Sequence, residues 1–170
     1  MLTIRIMRLK HLTVEPKFES SEPRRAPSCL VRIDISKTAS RERVRDVGDA
    51  VYNAMIAVAN VPNYDKFQVV TRHEPDEIIY PEEGYLGIDY TPDLIIIQVT
   101  WVGGRSTDLR LELGRRIVDI CAEVLGVPKR TVLVEFTVHS GDEILRDGER
   151  AGEWTAAEAS TLPSPTDARS

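Results

Sequence analysis

Two cysteines, Cys29 and Cys121, among 170 residues are too few for a disulfide framework and point to a reducing compartment, the cytoplasm. The three histidines stand without neighbouring cysteines. His73 and His139 read as polar strand ends, and neither a metal nor a cofactor is expected. Cationic excess is missing: 22 Lys and Arg against 27 Asp and Glu leave a net charge of −5. With no basic stripe on any predicted helix, a nucleic-acid partner is not expected. The longest apolar runs, such as "LIIIQV", fall far short of a membrane span. What is present, 42% apolar and 29% charged residues, is ordinary for one globular domain or two small fused units.

Set against itself at an offset of 66 residues, the chain keeps one register without a gap. Ser40 falls on Ser106, Gly48 on Gly114, Val61-Pro62 on Val127-Pro128, Thr71 on Thr137 and His73 on His139. Both copies read strand, helix, strand. "LVRIDI" alternates, Val31, Ile33 and Ile35 on one face against Arg32 and Asp34 on the other. Ser40 can cap the following helix, on which Val44, Val47, Val51, Met55 and Val58 form an apolar stripe. Asn60 and Pro62 stop it before "KFQVVT". In the second copy "LIIIQVT" is a fully apolar strand, expected to be buried on both faces. Ser106 caps a helix lined by Leu109, Leu113, Ile117 and Ile120, Cys121 being a small core residue on its apolar side. Gly126 and Pro128 end the helix, and "TVLVEFTV" closes the unit.

The predicted fold is therefore α+β: two tandem βαβ units, residues 29–73 and 94–139, forming a four-stranded sheet with both helices on one face. The other face would stay open, which argues for burial by self-association. Residues 72–93 join the units in a long Pro-, Gly- and acid-rich segment, with a short strand expected at Ile78–Tyr80. Residues 1–28 form an N-terminal extension, partly disordered or processed, and the domain runs over 29–154. The tail, 155–170, has little to bury and is expected to be disordered.

Taken together, "CLVRIDIS", "GDAVYNAM", "NVPNYDKFQVVTRHEPDEIIY", "YLGI", "LIIIQVTWVGGRS" and "LGVPKRTVLVEF" resemble the tautomerase superfamily over about residues 29–139. The resemblance is closest to fused double-βαβ members of the malonate semialdehyde decarboxylase type. It implies a homotrimer acting on a small carboxylate substrate, with no cofactor. It also implies an amino-terminal proline as acid–base, an arginine that clamps the substrate carboxylate, and an aspartate that positions water or a proton. "YDKFQ" supplies Asp65 for the aspartate, and "GGRST" supplies Arg105 for the arginine. Pro27 is the candidate proline, but it lies two residues upstream of the position at which the family has it, which Cys29 holds here. Pro27 gains a basic nitrogen only if the chain is cut after Ala26. Arg5, Arg8, Lys10 and His11, together with Arg24-Arg25, give the leader the look of a mitochondrial presequence. Val102 stands where the family has Asn, and the decarboxylase's second arginine has no counterpart.

The resulting expectation is keto–enol isomerisation of a small 2-oxo acid, conditional on an exposed proline. The alternatives are a catalytically silent trimer with a binding or assembly role, and a hydrolytic decarboxylase or dehalogenase of a small three-carbon acid.

Overall fold

The computed structural model describes residues 29–63, 65–103, 105–139, 143, 145–146 and 149–150. The leader, Pro27 and the tail lie outside the described residues. The chain runs β1 (Cys29–Ser36), α1 (Arg41–Ala59), β2 (Gln68–His73), β3 (Ile95–Val102), α2 (Thr107–Leu125), a 3-10 turn (Lys129–Thr131), β4 (Val132–His139), β5 (Leu145–Arg146) and β6 (Glu149–Arg150). The first four strands form one mixed sheet in the order β2-β1-β3-β4. β1 and β2 are parallel, as are β3 and β4, while the central pair β1/β3 is antiparallel. The two units thus meet through their first strands, and each sheet edge is a second strand.

Alternation sets the faces. Cys29, Val31, Ile33 and Ile35 of β1, and Ile95, Ile97, Val99 and Trp101 of β3, point into the core. There they meet Val47, Val51 and Met55 of α1 and Leu113, Ile117 and Cys121 of α2. Both helices consequently cover the same face, as the stripes predict. Their ends form as the sequence suggests. The Ser40 hydroxyl accepts from the Arg43 amide and that of Ser106 from the Leu109 amide, each at 3.2 Å. Asn60 and Gly126 close the two helices in the left-handed region, at φ 51° and 68°.

Two expectations need correction. β3 is not buried on both faces within the single chain: Ile96, Gln98, Thr100 and Val102 are only half-buried. They share the uncovered face with Leu30, Val69 and Leu133, all exposed. An apolar run thus marks a central strand without showing that both of its sides are covered by its own chain. Ile78–Tyr80 is not a strand; its backbone has no sheet neighbour, and the linker instead holds an isolated bridge between Tyr85 and Ile88 and several hydrogen-bonded turns. The short β5/β6 pair was not foreseen, because two-residue strands carry no periodicity.

Candidate active site

Three chain segments converge beside the β1/β3 seam. Cys29 opens β1 and sits directly across from Trp101 near the end of β3. Asp65 comes from the turn between α1 and β2, and Arg105 from the turn between β3 and α2. The Cys29 Sγ lies 3.6 Å from the Asp65 backbone oxygen and 3.6 Å from its Oδ2, so the thiol donates to the aspartate. Asp65 is 6% exposed, one of few buried polar residues. The Arg105 guanidinium lies over the Trp101 indole, its carbon 4.5 Å from the ring centroid, and Trp101 in turn packs on Phe136. A guanidinium held over an aromatic ring can present its in-plane N–H groups to a carboxylate.

Electrostatics tie the three groups together. Burial pushes the Cys29 thiol up to about 12, helped by the Asp65 charge and the hydrogen bond to it, against an opposing pull from Arg105. Cys29 is therefore a neutral donor near pH 7 and not a thiolate nucleophile. Burial lowers the Arg105 guanidinium from its ordinary value, while Cys29 and Asp65 act in the other direction. It stays a cation across the physiological range. Tyr52, from α1, is also raised, first by burial and then by Asp65 and Cys29, which places it in the same cluster.

The structure brings Asp65 and Arg105 to one place, and Pro27 lies outside the described residues. Trp101 and Tyr52 belong to the site although sequence reading passed over both. A signal existed for Tyr52: the residue 66 positions later is Val118, so an aromatic with a hydroxyl stands where the register has an aliphatic. Two concavities among the described residues lie elsewhere. One, of about 70 Å³, is bordered by Ser36, Arg43 and Asp93. The other, of about 420 Å³, runs between α2 and β4 along Arg110, Arg115 and Phe136. Neither contains Cys29, Asp65 or Arg105. His73 bonds through Nε2 to Asp34 Oδ1 at 2.7 Å, on the uncovered sheet face.

Comparison with known proteins agrees with this fold. The tautomerase enzyme family matches residues 65–142, a span that includes both Asp65 and Arg105. The probable tautomerase YusQ of Bacillus subtilis (strain 168) is 31% identical over 105 residues, 62% of this chain and 82% of the relative. Among solved structures, an FG41 malonate semialdehyde decarboxylase inhibited by 3-bromopropiolate superposes with a TM-score of 0.66 at 29% identity, covering 79% of this chain and 99% of that one. A fused 4-OT symmetric trimer shares the fold at 15% identity, with a TM-score of 0.62 over 72% of this chain and 95% of the other. By its fold, and by its relationship to YusQ over most of that protein's length, the chain belongs to the tautomerase family.

Proposed function

We propose that the protein interconverts the keto and enol forms of a small 2-oxo acid. The observation that carries this reading is the convergence of Asp65 and Arg105 on Cys29 and Trp101. Arg105 takes the substrate carboxylate through its guanidinium N–H groups and stabilises the charge that grows on the adjacent enolate oxygen. The enol hydroxyl gives up its proton, the double bond shifts, and C3 receives a proton. Pro27 serves as the acid–base when a cut after Ala26 exposes its nitrogen, because a free α-amine titrates near pH ~8. Two residues of extended chain span at most ~7 Å, so such a proline starts within reach of the cluster at Cys29. Asp65 orients the transfer, and the neutral Cys29 thiol holds the carboxylate by donating to it.

The uncovered sheet face, with Leu30, Val69 and Leu133 exposed, supports assembly as a homotrimer, as in the trimeric fused 4-OT of the same fold. Hydrolytic decarboxylation of a small three-carbon acid is the second reading. It would use the same Asp65 and Arg105, and the resemblance to the malonate semialdehyde decarboxylase favours it.

The test is an assay on an enolised aryl pyruvate, run on the native and the Pro27-started chain and followed by loss of enol absorbance. Arg105→Ala should lower kcat/KM by roughly 100-fold or more. An unchanged rate in that variant would remove the clamp. Carbon dioxide release from a 3-oxo acid in place of enol loss would select the decarboxylase.

A further inference from the structure

The turn that carries Asp65 is gripped from α1 at two points, one on either side of the aspartate. The Tyr52 hydroxyl donates to the Pro62 carbonyl at 2.9 Å. That oxygen also accepts the Asp65 amide at 3.0 Å, so a single carbonyl ties the phenol to the backbone of the aspartate. On the other side Lys66 reaches back to α1. Its Nζ bonds Asp49 Oδ1 at 2.6 Å and stands 5.2 Å from the centre of the Tyr52 ring. Asp49 and Tyr52 are three residues apart and so share a helix face.

The second half of the molecule acts as an internal control. There the counterparts of Asp49, Tyr52 and Lys66, at the offset of 66, are Arg115, Val118 and Val132. None can repeat the grip, yet the turn forms with the same bond, the Thr131 amide to the Pro128 carbonyl at 2.9 Å. A different ion pair, Lys129 to Asp119, holds that loop. A turn of this shape therefore forms without a phenol where another anchor holds it. The phenol is present only where the turn carries an acid, and its own ionisation is opposed first by burial and then by that acid and by Cys29.

We infer that Tyr52 is a positioning residue: it acts through the Pro62 carbonyl, with Lys66 and Asp49 as its brace, to fix the Asp65 carboxylate against Cys29 and toward the proton-transfer site. This rests on the reading above in which Asp65 orients proton transfer. The ring contributes packing and the hydroxyl contributes the tie, so Tyr52→Phe removes only the second.

Two readouts test it, the enol assay on the Pro27-started chain and labelling on the full chain. In the enol assay, Tyr52→Phe should lower kcat about tenfold while KM changes little, since the carboxylate clamp on Arg105 is untouched. In native alkylation followed by mass spectrometry, Cys29 should label about tenfold faster than in the parent, because the turn over it opens locally. Cys121, buried in α2, should label at its old rate and reports any global loosening. Lys66→Met should move both readouts the same way by less. A Tyr52→Phe protein that keeps its kcat while Arg105→Ala loses activity overturns the positioning role and leaves the functional reading standing. If Arg105→Ala is fully active the functional reading fails, and labelling still decides the tie: Cys29 protection unchanged in Tyr52→Phe, or Cys121 rising with it, overturns it.

Discussion

Ser40 opens α1 at φ −64° and ψ 157°, and Ser106 opens α2 at φ −66° and ψ 159°. β1 and β3, and α1 and α2, begin and end the same 66 positions apart, and the turns that follow the helices share their hydrogen bond. On this common frame a few corresponding positions differ. Where the first half has Cys29, Asp65 and Tyr52, the second has Ile95, Thr131 and Val118; where the second has Arg105, the first has Ala39. The antiparallel β1/β3 seam lets the first half's acid and thiol meet the second half's arginine at one end of the sheet. At the other end the corresponding positions are apolar or uncharged. The comparison teaches that a frame made twice needs only a few substitutions, distributed between its halves, to leave a charged cluster at one end.

Making the halves alike at that turn should have the largest effect. Asp65→Thr gives the first turn the residue of the second, and the Asp65 amide bond to Pro62 does not depend on the side chain. The expected outcome is a folded protein whose kcat/KM for the enol substrate falls roughly 100-fold. Circular dichroism together with the enol assay checks this. Full activity in a folded Asp65→Thr protein would show that the acid is ornamental to the turn.

The frame was legible because its signals are local. Serine caps, left-handed stops at Asn60 and Gly126, and apolar stripes on α1 and α2 each operate within a few residues, and the offset of 66 made each half a check on the other. Asp65 and Arg105 were legible only through family resemblance, since an aspartate after a proline and an arginine after glycines have ordinary structural uses. Their convergence depends on the antiparallel seam, which no short window of sequence contains. Trp101 was hidden for another reason. Its place at the end of an alternating apolar strand reads as core, and it is core, fully buried while also supporting Arg105. The openness of the sheet was underestimated at β3, where four apolar residues in a row suggested two covered faces.

The next effect separates the thiols, one in each half. Burial raises both Cys29 and Cys121 from 9.0 to about 12 in the folded chain. Below pH 9 both states keep the protons, and the thiols add no pH dependence. Above pH 9 the unfolded chain releases them while the folded chain does not, so stability falls as pH rises toward 12. Each thiol contributes a slope of about 1.4 kcal/mol per pH unit in that window. Urea unfolding between pH 8 and 11 should show this fall, and Cys121→Ala should remove about half of the thiol part. Equal slopes in the parent and in Cys121→Ala would mean that Cys121 ionises as freely when folded as when unfolded.

The smallest effect lies at the helix ends, where the halves use different residues for one conformation. Gly126 holds φ 68° without a Cβ, whereas Asn60 holds φ 51° with one. Gly126→Ala places a Cβ in the left-handed region and should cost about 1 kcal/mol. Asn60→Gly relieves a smaller strain, because asparagine already tolerates that region, and should gain only a few tenths of a kcal/mol. The opposite signs matter more than the sizes. Both variants keep the Asn60 or Gly126 backbone N–H that closes its helix, so the difference reports backbone strain together with the unfolded-chain entropy that glycine changes. Urea midpoints at unchanged slope would show it. If both substitutions destabilise, the Asn60 side chain makes a contribution at the end of α1 that has no equivalent at the end of α2, and the two helices are not closed by the same physics.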